Sequence, residues 1–227
     1  MVRSIGKVQH DSVFIHIPRT GGEWLKRQLR VSGLRQHWVH PTYYRRIPNK
    51  HALLGHSYGV FQPRPKYLFS IVRHPVNYYE SVYKWLSLSN EGRLFRKRWT
   101  WHPFLSAWRW YTADFNSWME RMLVEEPAWY SNLLTAYVGP ESGEFCNYIG
   151  RTETLPTDAD RLIRILGGDL VEPLPLLNGI CQKIERDAAL QNQMLQLEVQ
   201  SLRRFYSEQT AEQREYSYGW PKENGND

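Results

Sequence analysis

Ser12-Val13-Phe14-Ile15-His16-Ile17-Pro18-Arg19-Thr20-Gly21-Gly22-Glu23-Trp24-Leu25 is the stretch on which the reading of this chain turns. Its apolar residues from Val13 to Ile17 form a run of strand length, and Pro18 breaks it. A cation, a hydroxyl and two glycines follow. Trp24, Leu25, Gln28 and Leu29 then fall at helical spacing. The stretch therefore predicts a strand, a tight glycine loop and a helix. Such a junction gathers backbone N–H groups and the positive end of a helix dipole at one spot, where glycines let an anion approach the main chain. Arg19 adds a permanent positive charge there. The loop is not a Walker A sequence, which requires Gly, four residues and then Gly-Lys-Ser/Thr. Here the cation precedes the glycines, and Glu23 and Trp24 follow them. Pro-Arg-Thr-Gly-Gly alone does not separate an anion cradle from an ordinary strand-to-helix turn.

A second segment repeats the pattern. Tyr67-Leu68-Phe69-Ser70-Ile71-Val72 reads as a buried strand ending at Arg73-His74-Pro75. Pro75 suits the first position of a helix, and Val76, Tyr79, Val82, Tyr83 and Leu86 continue at helical spacing. Arg73 thus leaves a strand tip, with Ser81 inside the following helix. In many nucleotide-binding sheets the strand beside the phosphate loop ends in a metal-binding aspartate. An arginine in that place predicts a second anion held without a metal.

Together these segments resemble the sulfotransferases that use 3′-phosphoadenosine 5′-phosphosulfate, and most closely the branch containing carbohydrate 2-O-sulfotransferases. Ile17-Pro18-Arg19-Thr20-Gly21-Gly22 is similar to that branch's Ile-Pro-Lys-Thr-Ala/Gly-Gly loop for the donor's 5′-phosphosulfate. Arg73-His74-Pro75 with Ser81 and Tyr83 is similar to its 3′-phosphate signature. Leu54-Gly55-His56 resembles the Gly-His element that supplies the family's base. Ile149-Gly150-Arg151-Thr152-Glu153-Thr154-Leu155 and Leu174-Pro175-Leu176-Leu177-Asn178 resemble later elements of the same family, in the same order. The resemblance implies a P-loop-like α/β fold with a central parallel sheet flanked by helices. It also implies donor contacts at Pro18, Arg19, Thr20, Gly21, Gly22, Glu23, Trp24, Arg73 and Ser81. Arg19 and His56 are the implied catalytic pair, the donor is the only cofactor, and no metal is implied. The family's loop lysine is Arg19 here, and its following Thr/Ser pair is replaced by Glu23 and Trp24. A carboxylate at Glu23 suits a helix start but repels a phosphate, so the expectation is that it turns outward, leaving Thr20 and the backbone to bind.

Composition agrees with one enzyme domain spanning 1–227. Hydrophobic residues make up 41% and charged residues 23%, which excludes a disordered chain. No apolar run approaches the roughly 20 residues of a membrane span, and no charged-then-apolar leader opens the sequence. The expected location is therefore cytoplasmic. Cys146 and Cys181 are the two cysteines and lack metal-ligand spacing, which points to a reducing compartment. A net charge of +6 favours anionic partners, with the densest run at Arg93-Leu94-Phe95-Arg96-Lys97-Arg98-Trp99. That run reads either as an acidic-substrate or nucleic-acid patch or, more simply, as a solvated face.

Alternating elements argue for a parallel sheet with helices on both faces. Strands are predicted at Val13–Ile17, Ala52–Gly55, Tyr67–Val72 and Tyr148–Arg151. Helices are predicted at Glu23–Val31, Val76–Ser89, Phe115–Leu123, Ala128–Ala136, Asp158–Leu166 and Lys183–Tyr206, with Thr157 and Asp160 as a start signal for the fifth. The last is a single long helix over 183–206, with Ile184, Leu190, Met194, Leu197 and Leu202 on one stripe. The region from about 85 to 136 is rich in tryptophan: Trp85, Trp99, Trp101, Trp108, Trp110, Trp118 and Trp129. Its rings form either an acceptor lid or a packed helical core.

In sulfuryl transfer, as in phosphoryl transfer, positioning and electrostatics dominate. Arg19 is placed to stabilise the departing nucleotide, and Thr20, Gly21 and Gly22 to donate N–H groups. As an arginine it acts through charge and not by protonating the leaving group. Arg73 and Ser81 clamp the second phosphate. His56, expected at a strand tip, takes the proton of a glycan or small-molecule hydroxyl, with His16, His51 and His74 as weaker candidates. Nucleic acid is not the expected partner. The rival readings are a nucleotide kinase with an atypical loop, a basic Trp-rich nucleic-acid-binding protein and a donor-binding protein without turnover.

Overall fold

The computed structural model describes residues 12–34, 67–88, 104–139, 146–176 and 184–206. Its centre is an all-parallel sheet of three strands, β1 (Ser12–Ile15), β2 (Tyr67–Val72) and β3 (Tyr148–Arg151), with β2 in the middle. Ser12 pairs with Tyr67, and Phe69 with Tyr148. The strand expected at Ala52–Gly55 lies outside the described residues. Around the sheet stand α1 (Gly22–Val31), α2 (Pro75–Leu88), α3 (Leu105–Arg109), α4 (Phe115–Glu125), α5 (Trp129–Val138), α6 (Leu155–Ile165), α7 (Ala188–Leu197) and α8 (Val199–Tyr206). The fold class is α/β, as the alternation of elements predicts.

The two-residue period of β2 divides the core. Phe69 and Ile71 face α1 and α6, where they pack with Trp24, Leu25, Leu29 and Leu162. Leu68 and Val72 face the opposite way, into a larger core built with α2, α4, α5, α7 and α8. A strand apolar on both faces is what a parallel sheet covered on both sides requires. The larger core is aromatic. Tyr78, Trp118, Tyr130 and Tyr137 are fully buried, and the Trp118 indole donates to the Ala107 carbonyl at 2.9 Å. Trp118 and Trp129 are therefore packed core and not an acceptor lid. Trp99 and Trp101 lie outside the described residues.

Two expectations are corrected. The helix expected at Asp158 starts at Leu155, because Pro156 fits a first turn and Asp158, inside that turn, ties it back to the end of β3. The Asp158 Oδ2 accepts from the Arg151 N–H at 2.8 Å and from the Thr154 hydroxyl at 2.6 Å. The single helix over 183–206 is two. Asp187 starts the first by accepting from the Leu190 N–H at 3.0 Å, and Glu198 leaves helical geometry at φ −90°, ψ 17°. Its side chain is drawn inward, fully buried, against the start of α5. No helix among the described residues is long and apolar enough to cross a membrane.

Candidate functional site

β1, β2 and β3 each lead into an arginine at the C-terminal edge of the sheet: Arg19, Arg73 and Arg151. Parallel strands in register place these three tips side by side, where ligands bind in open α/β sheets.

The loop after β1 is tightly folded. Arg19 adopts φ 68° and Gly21 φ 86°, both in the left-handed region. For a residue with a Cβ this conformation costs on the order of 1–3 kcal/mol and is held only where surrounding bonds impose it. The Thr20 hydroxyl donates to the Ile17 carbonyl at 2.9 Å, one Arg73 Nη1–H donates to the Arg19 carbonyl at 3.1 Å, and the Thr152 hydroxyl reaches the Thr20 and Val72 carbonyls at 2.8 and 3.0 Å. Gly21 is the N-cap of α1, whose ladder begins with the Leu25 N–H donating to the Gly21 carbonyl at 3.1 Å. The N–H groups before Leu25 have no intrahelical acceptor and form the donor end of the helix. A Cβ on Gly22 would lie 2.2 Å from His16 Cδ2, and one on Gly21 2.7 Å from a Leu155 methyl. Gly22 is thus required by the close approach of His16, and Gly21 by its left-handed backbone.

Arg19 and Arg73 converge. The Arg19 Nε–H donates to the Ser81 hydroxyl at 3.2 Å, so the two segments singled out in the sequence meet through Arg19, Arg73 and Ser81. Burial lowers the pKa of Arg19, and the nearby positive charge of Arg73 lowers it further. Among the described residues neither arginine has an ion-pair partner, and Arg73 Nε is buried without an acceptor. Two like charges held this closely present a strong local field to an anion.

Some expected contacts fall elsewhere. Glu23 points outward and pairs with Lys26 at 3.1 Å, as its charge predicts. The Trp24 indole is buried in the core on the α1 side and donates to the Leu174 carbonyl at 3.0 Å, so only its backbone N–H remains for an anion. The Thr20 hydroxyl is committed to the loop, and Thr20 too is left with its N–H. Pro18 is buried beneath the turn. His16 is 8% exposed and stacks on Phe14 under Gly22, a position that suits packing rather than proton transfer from a substrate. His74 is half-buried, with its ring edge against Tyr206, and burial lowers its pKa despite Glu153 nearby. His51, His56, Asn178, Cys181 and the basic run from Arg93 to Trp99 lie outside the described residues.

Sequence reading assigned no role to Thr152, Glu153 or Tyr130, which brace the strand tips. The Glu153 carboxylate accepts from the His74 N–H at 2.9 Å, from the Asn77 amide at 3.2 Å and from the Tyr206 hydroxyl at 2.9 Å. Thr152 and Glu153 sit inside the quoted Ile149–Leu155 element, so a signal existed for them. Tyr130 had none. The late Leu174 segment docks on α1, its N–H donating to the Gln28 side chain at 2.8 Å. Comparison of the chain with models of known protein families, with curated proteins and with solved structures returned no match.

Proposed function

We propose that this chain is a sulfotransferase that moves a sulfuryl group from 3′-phosphoadenosine 5′-phosphosulfate to a hydroxyl of a glycan or small molecule. The observation that carries the proposal is the meeting of Arg19 and Arg73 at adjacent strand tips, Arg19 on the Ser81 hydroxyl and Arg73 on the Arg19 carbonyl, beside a glycine loop pressed close against His16. A donor bearing phosphate groups at two ends of one nucleoside calls for two cationic contacts a fixed distance apart. The P-loop-like sulfotransferase fold is part of the same proposal.

In this reading the donor supplies the activated sulfuryl group, and each protein group has one task. The loop N–H groups and Arg19 hold the phosphosulfate end and stabilise negative charge that grows there. Arg73 and Ser81 hold the second phosphate by charge-assisted and neutral hydrogen bonds. His56 accepts the acceptor's proton.

Titration calorimetry with adenosine 3′,5′-bisphosphate, AMP and ATP tests the donor assignment. The bisphosphate should bind far better than either, and Arg73→Ala should weaken it by about 1.5–3 kcal/mol. Equal affinity for AMP would remove the second phosphate site. A screen of hydroxyl acceptors with radiolabelled donor sulfate tests transfer itself, and a folded His56→Ala chain should lose about 10²–10⁴ in turnover of an alcohol acceptor.

A further inference from the structure

Arg73 stands just past the last paired residue of β2, where a chain leaving a sheet has no ladder partner for its polar groups. A single side chain supplies both. The Arg73 N–H donates to the Tyr130 hydroxyl at 2.9 Å, and that hydroxyl donates to the Arg73 carbonyl at 2.7 Å. Tyr130 is fully buried, and its ring stacks on Tyr78 with centroids 3.9 Å apart. Its own backbone is anchored from a distant part of the chain. The start of α5 has no side-chain cap from Ala128, and Glu198 takes that place. The Glu198 carboxylate accepts from the Tyr130 N–H at 3.0 Å, from the Ser131 N–H at 2.7 Å, from the Ser131 hydroxyl at 2.5 Å and from the Tyr79 hydroxyl at 2.8 Å. A carboxylate at these N–H groups also meets the positive end of the helix dipole.

We infer that Tyr130 is a positioning residue for the anion site, its hydroxyl fixing the main chain of Arg73 and Glu198 fixing the helix that carries it. A phenol held by its ring and by its backbone can clamp a strand tip with little freedom of its own. Removing the hydroxyl takes the partner from both the Arg73 N–H and its carbonyl and frees the dihedrals that aim the guanidinium. The buried carboxylate thereby reaches the anion site through two hydrogen-bonded steps without touching a ligand. The inference rests on the proposed two-phosphate site.

The test is the ratio of affinities for adenosine 3′,5′-bisphosphate and AMP in the full chain, because the proposed site has the Arg73 guanidinium contact the second phosphate, which AMP lacks. Tyr130→Phe keeps the stacked ring and should lower bisphosphate affinity about tenfold, because both hydrogen bonds that fix the Arg73 main chain are lost. Its AMP affinity should change less than twofold. Glu198→Gln, a second variant should Tyr130→Phe not fold, should lower the ratio in the same direction by a smaller factor. Met122→Ala, a core truncation on α4, should lower the melting temperature and leave the ratio unchanged. A wild-type chain that does not discriminate between the nucleotides overturns both the proposed site and this inference. A discriminating wild type beside a Tyr130→Phe chain with the same ratio, or a Met122→Ala chain that loses the ratio as well, overturns the inference alone.

Discussion

The packing beneath the glycine loop makes a sharp prediction for Gly22→Ala. The new methyl would sit 2.2 Å from His16 Cδ2, 2.5 Å from His16 Nε2 and 3.2 Å from Phe14 Cζ. The imidazole cannot simply swing aside, because it stacks on Phe14, which stacks in turn on Phe69 with centroids 5.3 Å apart. Forcing a methyl into such a site costs about 1–3 kcal/mol. Ala is a better helix former than Gly by up to about 1 kcal/mol, which offsets part of this. A net loss of about 1–2 kcal/mol remains. For a chain of this size that lowers the melting temperature by about 2–8 °C. The cause is isolated by a double-mutant cycle with His16→Ala, read by urea unfolding. Removing the ring vacates the space, so Gly22→Ala in the His16→Ala background should cost little, with a coupling energy of about 1 kcal/mol or more. Additivity within about 0.5 kcal/mol, or a Gly22→Ala chain as stable as wild type, would refute the claim that His16 is a packing residue pressed against the loop.

Three further outcomes follow from the geometry. In the proposed reaction, Arg19→Ala should lower turnover more than donor affinity while Arg19→Lys keeps activity, as initial rates at saturating donor would report; normal turnover by Arg19→Ala would remove the loop from transfer. Asp158→Ala should cost about 1–3 kcal/mol in denaturant unfolding, because it removes the acceptor of the part-buried Arg151 N–H and one hydrogen-bond partner of the Tyr148 hydroxyl. Alkaline pH should unfold the chain. Burial raises Tyr78, Tyr79, Tyr130 and Tyr148, and holds the Cys146 thiol up at about 12 and the Tyr83 phenol up at about 12. The folded chain therefore binds more protons than the unfolded one once pH passes the ordinary thiol and phenol values, and stability falls with rising pH. This stability is fully present below about pH 9 and lost progressively above it, so tyrosinate absorbance should rise with unfolding rather than before it; smooth titration of these phenols in a folded chain would contradict their burial.

Local chemistry made much of the site legible. Pro18 and the paired glycines announce a turn, and apolar runs on either side announce strand and helix, because these signals act within a few residues. The outward turn of Glu23 follows from its charge. The same locality misled elsewhere. The apolar stripe from Ile184 to Leu202 continues through Glu198, and nothing in its spacing says that a helix breaks there. The break reflects donors on α2 and α5, which no window of sequence brings together. Trp24 stands beside the glycine loop in sequence, yet its indole turns to Leu174, since the helical period sends it to the core and not to the loop.

The elements and the kind of chemistry at their junctions are written locally along the chain. Strand length, helical period, proline and glycine punctuation and the two arginines are local properties, and local sterics and charge suffice to read them. Folding alone makes particular tips neighbours, brings Arg19 to Ser81 and Arg73 to the Arg19 carbonyl, and sets Tyr130 and Glu198 behind them. Those relations depend on the order of strands in the sheet and on the packing of α5 against the turn between α7 and α8. Both are settled by burying the whole core at once, a condition that no single segment expresses.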